Sequence, residues 1–333
     1  MDNSTLNSLL QEYNLKRQKA IEDSNMRKKE LYSKNKRLEE IETELNNSAI
    51  NSVKSILMHG QSSEKKYLDN LNNKIKKLNL EKENILKSLG KNSNYLEPIF
   101  DCPICKDTGY VTTNYKTEMC NCLKQEIFNI EYNKANISGL QKENFSTFNI
   151  NKYSDKIDKE KYHSNISPRE NILNIKKIVE NFINNFDNPE EKNLLFTGNT
   201  GLGKTFLSNA IAYEILKKRK TVLYQTAPNM LDDIINYRFN KTTNNICDIL
   251  LNVNLLIIDD LGTETMNNMK FTELFNIINS RLLNQENKIT KTIISTNLSL
   301  ENMFSYYDER IVSRFVGYYN ICKFFGDDIR FIK

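Results

Sequence analysis

The sequence predicts an α/β chain: a parallel sheet covered by helices in the C-terminal half, preceded by a helical, coiled-coil-like segment and a small cysteine-bearing module. Three observations lead there. Short apolar runs, LLF (194–196), TVLYQT (221–226), NLLIID (254–259) and KTIISTN (291–297), alternate with stretches of helical period, and such alternation builds a mostly parallel sheet with helices on both faces. The first 95 residues are rich in Lys, Glu and Asn, with Gly only at Gly60 and Gly90 and no Pro, a composition that suits long helices. Between the two regions, four of the six cysteines fall within 21 residues.

In residues 1–95 the apolar positions Leu71, Ile75, Leu78, Ile85 and Leu89 follow a heptad a/d spacing in which Lys82 takes one core position. A weaker set, Leu31, Leu38, Ile41 and Leu45, precedes it. The intervening NNSAINSVKSILMHGQSS breaks the charge pattern and contains Gly60. A helical hairpin or two short coiled-coil segments therefore fits better than one rod; a solvated charged helix without a partner is the alternative.

Residues 96–125 contain DCPICKDTGYVTTNYKTEMCNC. Cys102 and Cys105 make a C-x-x-C knuckle stiffened by Pro103; after fourteen residues Cys120 and Cys122 follow as C-x-C. Four thiolates are a structural Zn2+ ligand set, and Gly109-Tyr110 with its β-prone flank suits the hairpin of a zinc-ribbon-like module. The alternative is four unrelated thiols. Cys247 and Cys322 stand apart beside apolar residues and read as core. His59 and His163 lie in polar or broken stretches and read as exposed.

Residues 126–168 read as linker and the start of the next unit, ending at Pro168, which opens the helix 169–186. The domain 169–333 carries the chemistry. GNTGLGKT fits the P-loop spacing: Gly198, Gly201 and Gly203 free the backbone to bring N–H groups onto phosphate oxygens, with Asn199, Thr200, Leu202 and Phe206 completing the cradle. Lys204 is expected to neutralise the β- and γ-phosphates of ATP and Thr205 to ligate Mg2+ at a helix N-terminus. Asp259 and Asp260 end an apolar strand, a Walker B pattern: the first a Mg2+ ligand, the second an orienter and base for the attacking water. Asn297 ends the next strand, as a turn residue or as one that positions the water. Near the C-terminus Arg310, Arg314 and Arg330 are candidates to stabilise charge on a γ-phosphate, against the commoner fate of surface arginine.

Composition narrows little else. Lys+Arg 47 against Asp+Glu 42 leaves +5, which permits nucleic-acid contact without arguing for it. The first residues show no signal-peptide pattern and no apolar run reaches about 18 residues, so a cytoplasmic protein without a membrane partner is expected.

The ordered blocks ENFSTFN, GNTGLGKT, LLIIDDLGTE, TIISTN, ERIVSRF and GDDIR resemble bacterial replicative helicase loaders of the DnaC/DnaI type, within the AAA+ ATPases, over residues 140–333. The resemblance implies that Asn297 is the sensor 1 residue, Arg314 an arginine finger acting across a subunit boundary and Arg330 the sensor 2 arginine. It further implies ATP-dependent self-association, single-stranded DNA as a ligand, and an N-terminal grip on a hexameric replicative helicase. IstB-type transposition helpers are similar over the same blocks, and a non-hydrolysing adaptor is a third reading. Asp260 stands where many AAA+ proteins have the longer Glu, which implies slow or partner-stimulated hydrolysis; Glu264 replaces it only if the loop folds back.

Overall fold

The computed structural model describes residues 3–59, 64–131, 142–240, 246–285 and 288–331. The chain forms two compact units, residues 7–118 and residues 119–333 with 1–6.

In the first unit three helices, α1 (Asn3–Lys34), α2 (Lys36–His59) and α3 (Glu64–Ser88), carry the charge-rich sequence. The first break falls at Asn35, whose side chain accepts from the Arg37 N–H at 3.0 Å. Helix α2 runs on through NNSAINSVKSILMH; Gly60, where a break was expected, lies outside the described residues. Arg37 ties α2 to α3 by a two-pronged bond to Glu81 at 2.7 and 3.0 Å. Leu31, Leu38, Leu86 and Leu96 form the local core. The heptad reading needs one correction: Leu86 is buried while Leu89 is 38% exposed. Helix α3 stops at Ser88, where Gly90 at φ 69° lets the Lys91 N–H bond back to the Leu86 carbonyl at 2.9 Å, so Leu89 leaves the apolar stripe. The following residues fold back on α1, Ser24 donating to the Leu96 carbonyl at 2.7 Å and Arg27 to that of Tyr95 at 2.9 Å.

The cysteine segment builds a hairpin, β1 (Tyr110–Thr113) and β2 (Lys116–Met119), turned by Asn114 and Tyr115, both at positive φ. Helix α4 (Asn121–Glu131) follows. Its buried Gln125 covers a sheet edge, accepting from the Val222 N–H at 2.7 Å and donating to the Val222 carbonyl at 3.0 Å.

The larger unit holds five parallel strands: β3 (Asn193–Thr197), β4 (Val222–Thr226), β5 (Leu255–Leu261), β6 (Lys291–Thr296) and β7 (Tyr319–Lys323). Their order is β4-β5-β6-β3-β7, so the P-loop strand β3 is separated from the Asp259 strand β5 by the strand that leads to Asn297. The core runs through β3, β5 and β6, buried along nearly their whole length because helices cover both faces. After the short α5 (Lys159–Tyr162) comes α6 (Pro168–Asn184), capped by Ser167, whose hydroxyl accepts from the Glu170 N–H at 3.2 Å; it buries Ile172, Ile175, Val179 and Phe182 at helical spacing. Helix α7 (Lys204–Lys217) starts at the P-loop. Helices α8 (Ala227–Asn240), α9 (Ile246–Asn252) and α10 (Asn268–Asn284) flank the middle of the sheet; α11 (Leu300–Tyr306) and α12 (Glu309–Tyr318) lead to β7. Residues 142–153, within the stretch read as linker and start of the next unit, pack on this core through Phe145, Phe148 and Tyr153. Cys322 is buried and Cys247 half-buried; His163 is exposed, and the side chain of His59 lies outside the described residues.

Candidate nucleotide site and cysteine cluster

The strand ends open onto a cavity of about 410 Å3 lined by the P-loop residues Thr200–Phe206 together with Asp260, Asn297 and Arg330. Sequence reasoning named all of these. Gly201 (φ 74°) and Gly203 (φ 90°) hold backbone that favours glycine, and a Cβ would come 2.1 Å from the Asp328 carboxylate carbon in one case and 2.5 Å from the Tyr153 hydroxyl in the other. Two bonds hold the loop. The Ile329 N–H donates to the Gly201 carbonyl at 2.9 Å and the Tyr153 hydroxyl to the Leu202 carbonyl at 3.1 Å. Because a trans peptide points N–H and C=O opposite ways, these anchors turn the N–H groups of Leu202 and Gly203 toward the cavity. Such a cradle of N–H donors at the start of α7 fits the phosphates of ATP.

Lys204 is only 6% exposed. Its ammonium donates to the carbonyls of Gly198 at 2.5 Å and Asn199 at 2.7 Å, and to Asn297 Oδ1 at 2.8 Å. Burial lowers its pKa to about 8, against the opposing pull of Asp260 and Asp259. A bound polyphosphate would place further negative charge beside this buried ammonium.

The two aspartates are placed by a bulge. Ile258 pairs with Ile294 and Leu261 with Thr296, so two residues of β5 face one of β6, Ser295. Consecutive strand residues otherwise point to opposite faces; the extra residue, with Asp260 at φ 55°, breaks that alternation at the two acids. Ser295 accepts from the Asp260 N–H at 3.2 Å and donates to Asp259 Oδ1. Asp259 Oδ2 accepts from Tyr224 and, at 3.1 Å, from Thr205 Oγ1. This adjacent pair of hard oxygens at the start of the P-loop helix fits Mg2+. The Asp260 carboxyl is half-buried, and burial, reinforced by Asp259, raises its pKa.

Arg314 lies elsewhere. On α12 it donates to Asn279 at 3.2 Å, with its guanidinium 5.7 Å from the Phe275 ring, and the neighbouring Arg310 pairs with Asp308 at 2.9 Å. Arg330 reaches the cavity while paired with Asp328, whose pKa that contact lowers to about 2. Glu264 does not fold back toward the site; its carboxylate is buried and accepts from Tyr307 and from the Gly262 N–H.

Sequence reasoning missed Tyr153, Tyr224, Ser295, Ile329 and the cavity-lining Glu143 and Lys152. Glu143 and Ile329 fall inside the blocks ENFSTFN and GDDIR; Tyr153 carried no signal.

In the cysteine segment, the thiol sulfurs of Cys102, Cys105, Cys120 and Cys122 all lie within 4.8 Å of one another, three of the residues buried. A tetrahedral Zn–S4 centre has bonds of about 2.3 Å and hence sulfurs about 3.8 Å apart, so the four fit Zn2+. Asp107 fixes the knuckle, accepting from the N–H groups of Asp101 at 3.0 Å and Cys102 at 2.7 Å. Among the described residues no helix is long and apolar enough to cross a membrane.

A family model described as IstB-like ATP binding protein matches residues 149–315. The chromosomal replication initiator protein DnaA of Buchnera aphidicola subsp. Cinara cedri (strain Cc) is 33% identical over 112 residues, 33% of this chain and 24% of that protein. The chain thus spans about a quarter of the length of the curated relatives it matches. Among solved structures, the DnaC helicase loader (24% identity, TM-score 0.42) aligns over 53% of this chain and 96% of its own. For DnaI the identity is 22% and the TM-score 0.41, over 50% and 86%.

Proposed function

The chain belongs to the IstB-like ATP-binding protein family, and from that premise we propose that it is an ATP-dependent helicase loader. Its N-terminal region binds a hexameric replicative DNA helicase, and its ATPase domain self-associates with ATP and delivers the helicase to single-stranded DNA. The observation that carries the hydrolytic part is the convergence of Lys204, Asp260, Asn297 and Arg330 around one cavity behind a glycine cradle. Curated relatives that are replication initiators support a role in replication.

In this reading the P-loop N–H groups and Lys204 bind the phosphates, while Thr205 and Asp259 hold the metal. Bound Mg2+ offsets the charge of the β- and γ-phosphates. Asp260 orients the attacking water and takes its proton; its raised pKa brings it nearer the working range of a base. Its side chain is one methylene shorter than Glu, which keeps intrinsic turnover slow. Asn297, bonded to the Lys204 ammonium, contacts the γ-phosphate and the attacking water in this reading. Arg330 stabilises charge from within the subunit, and Arg314 does so on a neighbour's nucleotide, in keeping with its place on α12 away from its own cavity. The cysteine cluster holds a structural zinc.

A second reading, a transposition helper acting on duplex DNA with a transposase, draws support from the family match itself. The helices and cysteine module ahead of the ATPase domain favour the loader. Size-exclusion chromatography with light scattering, loading the full chain with the replicative helicase of its host, decides between them. A defined complex whose mass changes with ATP is expected; separate elution of two folded proteins with and without ATP refutes the loader.

A further inference from the structure

Asp260 occupies left-handed backbone at φ 55°, uncommon for a residue with a Cβ although Asp adopts it more readily than most. What holds it there can be traced along the loop after β5. The Asp260 N–H is held by Ser295, and the Asp260 carbonyl accepts from the Thr263 N–H at 3.2 Å and the Thr263 hydroxyl at 2.8 Å. The far end is anchored by Glu264, only 2% exposed. One carboxylate oxygen accepts from the Gly262 N–H at 2.8 Å and the other from the Tyr307 hydroxyl, while the Glu264 carbonyl accepts from the Tyr306 hydroxyl at 2.6 Å.

Tyr307 is itself fixed. It is 4% exposed, its ring packs edge-on against Phe271 with centroids 6.1 Å apart and against Tyr306 at 5.0 Å, and it closes α11. The next residue, Asp308, caps α12, the helix that carries Arg310 and Arg314. Burial, with the Glu264 carboxylate beside it, pushes the Tyr307 phenol pKa up, so it stays a donor. A buried carboxylate and a buried phenol thus join the loop of Asp260 to the start of the arginine-bearing helix.

We propose that Glu264 and Tyr307 are positioning residues for hydrolysis: their bond is the strut that keeps the loop closed and Asp260 aimed into the nucleotide cavity. The proposal rests on the reading of Asp260 as the residue that activates water. Glu264 is not a spare base but the anchor of the loop that aims the base.

The test compares full-length wild type, Tyr307→Phe, Glu264→Gln, Glu264→Ala and the double variant Tyr307→Phe/Glu264→Ala. ATP turnover, ATP affinity and amide exchange at residues 260–264 are measured on each. Tyr307→Phe keeps the ring and removes one hydroxyl; Glu264→Gln keeps a carbonyl oxygen for Tyr307. Expected are a fall in kcat of about tenfold or more for Tyr307→Phe and Glu264→Ala, a smaller fall for Glu264→Gln, and ATP affinity within about twofold of wild type. The double variant should be no slower than Glu264→Ala alone, since both changes break one bond. Faster exchange at Gly262 and Glu264 should accompany each loss. Unchanged kcat, additive losses, or a parallel loss of ATP affinity overturns the proposal. If wild type binds ATP without hydrolysing it, the hydrolytic reading fails by itself, and amide exchange still decides the strut: exchange in Tyr307→Phe equal to wild type overturns it.

Discussion

Replacing Tyr153 by phenylalanine removes a single oxygen from the outside of the phosphate cradle. The ring stays in the core, stacked on Phe148 with centroids 6.1 Å apart, so packing is kept and the Leu202 carbonyl alone loses its donor. A buried acceptor left without a partner costs about 1–3 kcal/mol. Without phosphate the peptide between Leu202 and Gly203 is free to rotate and recover part of that cost. With phosphate bound, the Gly203 N–H must face inward and the carbonyl has no escape, so the penalty falls on binding. A value near 1.4 kcal/mol corresponds to about a tenfold weaker Kd. Fluorescence titrations with ATP, ADP and adenosine read this directly: ATP and ADP should each bind about tenfold more weakly, and adenosine, which makes no phosphate contact, should be unaffected. Because burial raises the Tyr153 pKa to about 12, the hydroxyl donates throughout the pH range 7–10 and alkaline buffer cannot mimic the mutation. ATP affinity within about twofold of wild type, or an equal loss for adenosine, would refute the assignment of Tyr153 as an external support of the P-loop.

Lys204→Ala should abolish ATP turnover and weaken ATP far more than adenosine, because it removes the cation of the cradle; a colorimetric phosphate assay and the same titrations check both. Elemental analysis of the purified protein should find about one zinc per chain, and Cys105→Ser should remove most of it. Arg281 is fully buried, with its guanidinium spent on the carbonyls of Leu250, Val253 and Lys291 and on the Thr292 hydroxyl at 2.5–3.1 Å. Arg281→Met should destabilise the ATPase unit by about 3 kcal/mol or more by stranding those acceptors, measured by urea denaturation, with the cation's own lowered pKa, about 9, still leaving it charged at neutral pH.

Features encoded by local spacing are legible in the sequence alone: the P-loop glycines, the cysteine knuckles, and the apolar runs that form β3 to β6. Strand β7 is not. YNICK follows α12 without a turn, since Tyr318 ends the helix and Tyr319 begins the strand, and its pairing with β3 depends on a contact 126 residues away in sequence, as in Asn193 with Tyr319. The heptad overruns α3 for a related reason: a Schellman cap at Gly90, a local backbone event, ends the helix before Leu89 can join the seam.

The hydroxyl partners of Asp259 show why a site can be half legible. Tyr224 lies opposite Ile257 on the neighbouring strand, one diagonal step from Asp259, and Ser295 lies opposite the bulge. Neither has meaning until the register of β4, β5 and β6 is known. The bulge matters more. Two adjacent acids after an apolar run suggest a metal ligand and a base, yet a regular strand would send them to opposite faces, and the bulge breaks that alternation. The sequence DDLGTE contains what bends the chain: a Gly at φ 102° to turn, a Thr to hold the Asp260 carbonyl, and a Glu to be buried against Tyr307. Read alone, that Glu resembles a second candidate base; in the fold its lone pairs are occupied by an N–H and a phenol. The conformation of the adjacent acids thus depends on residues after them that are committed to structure.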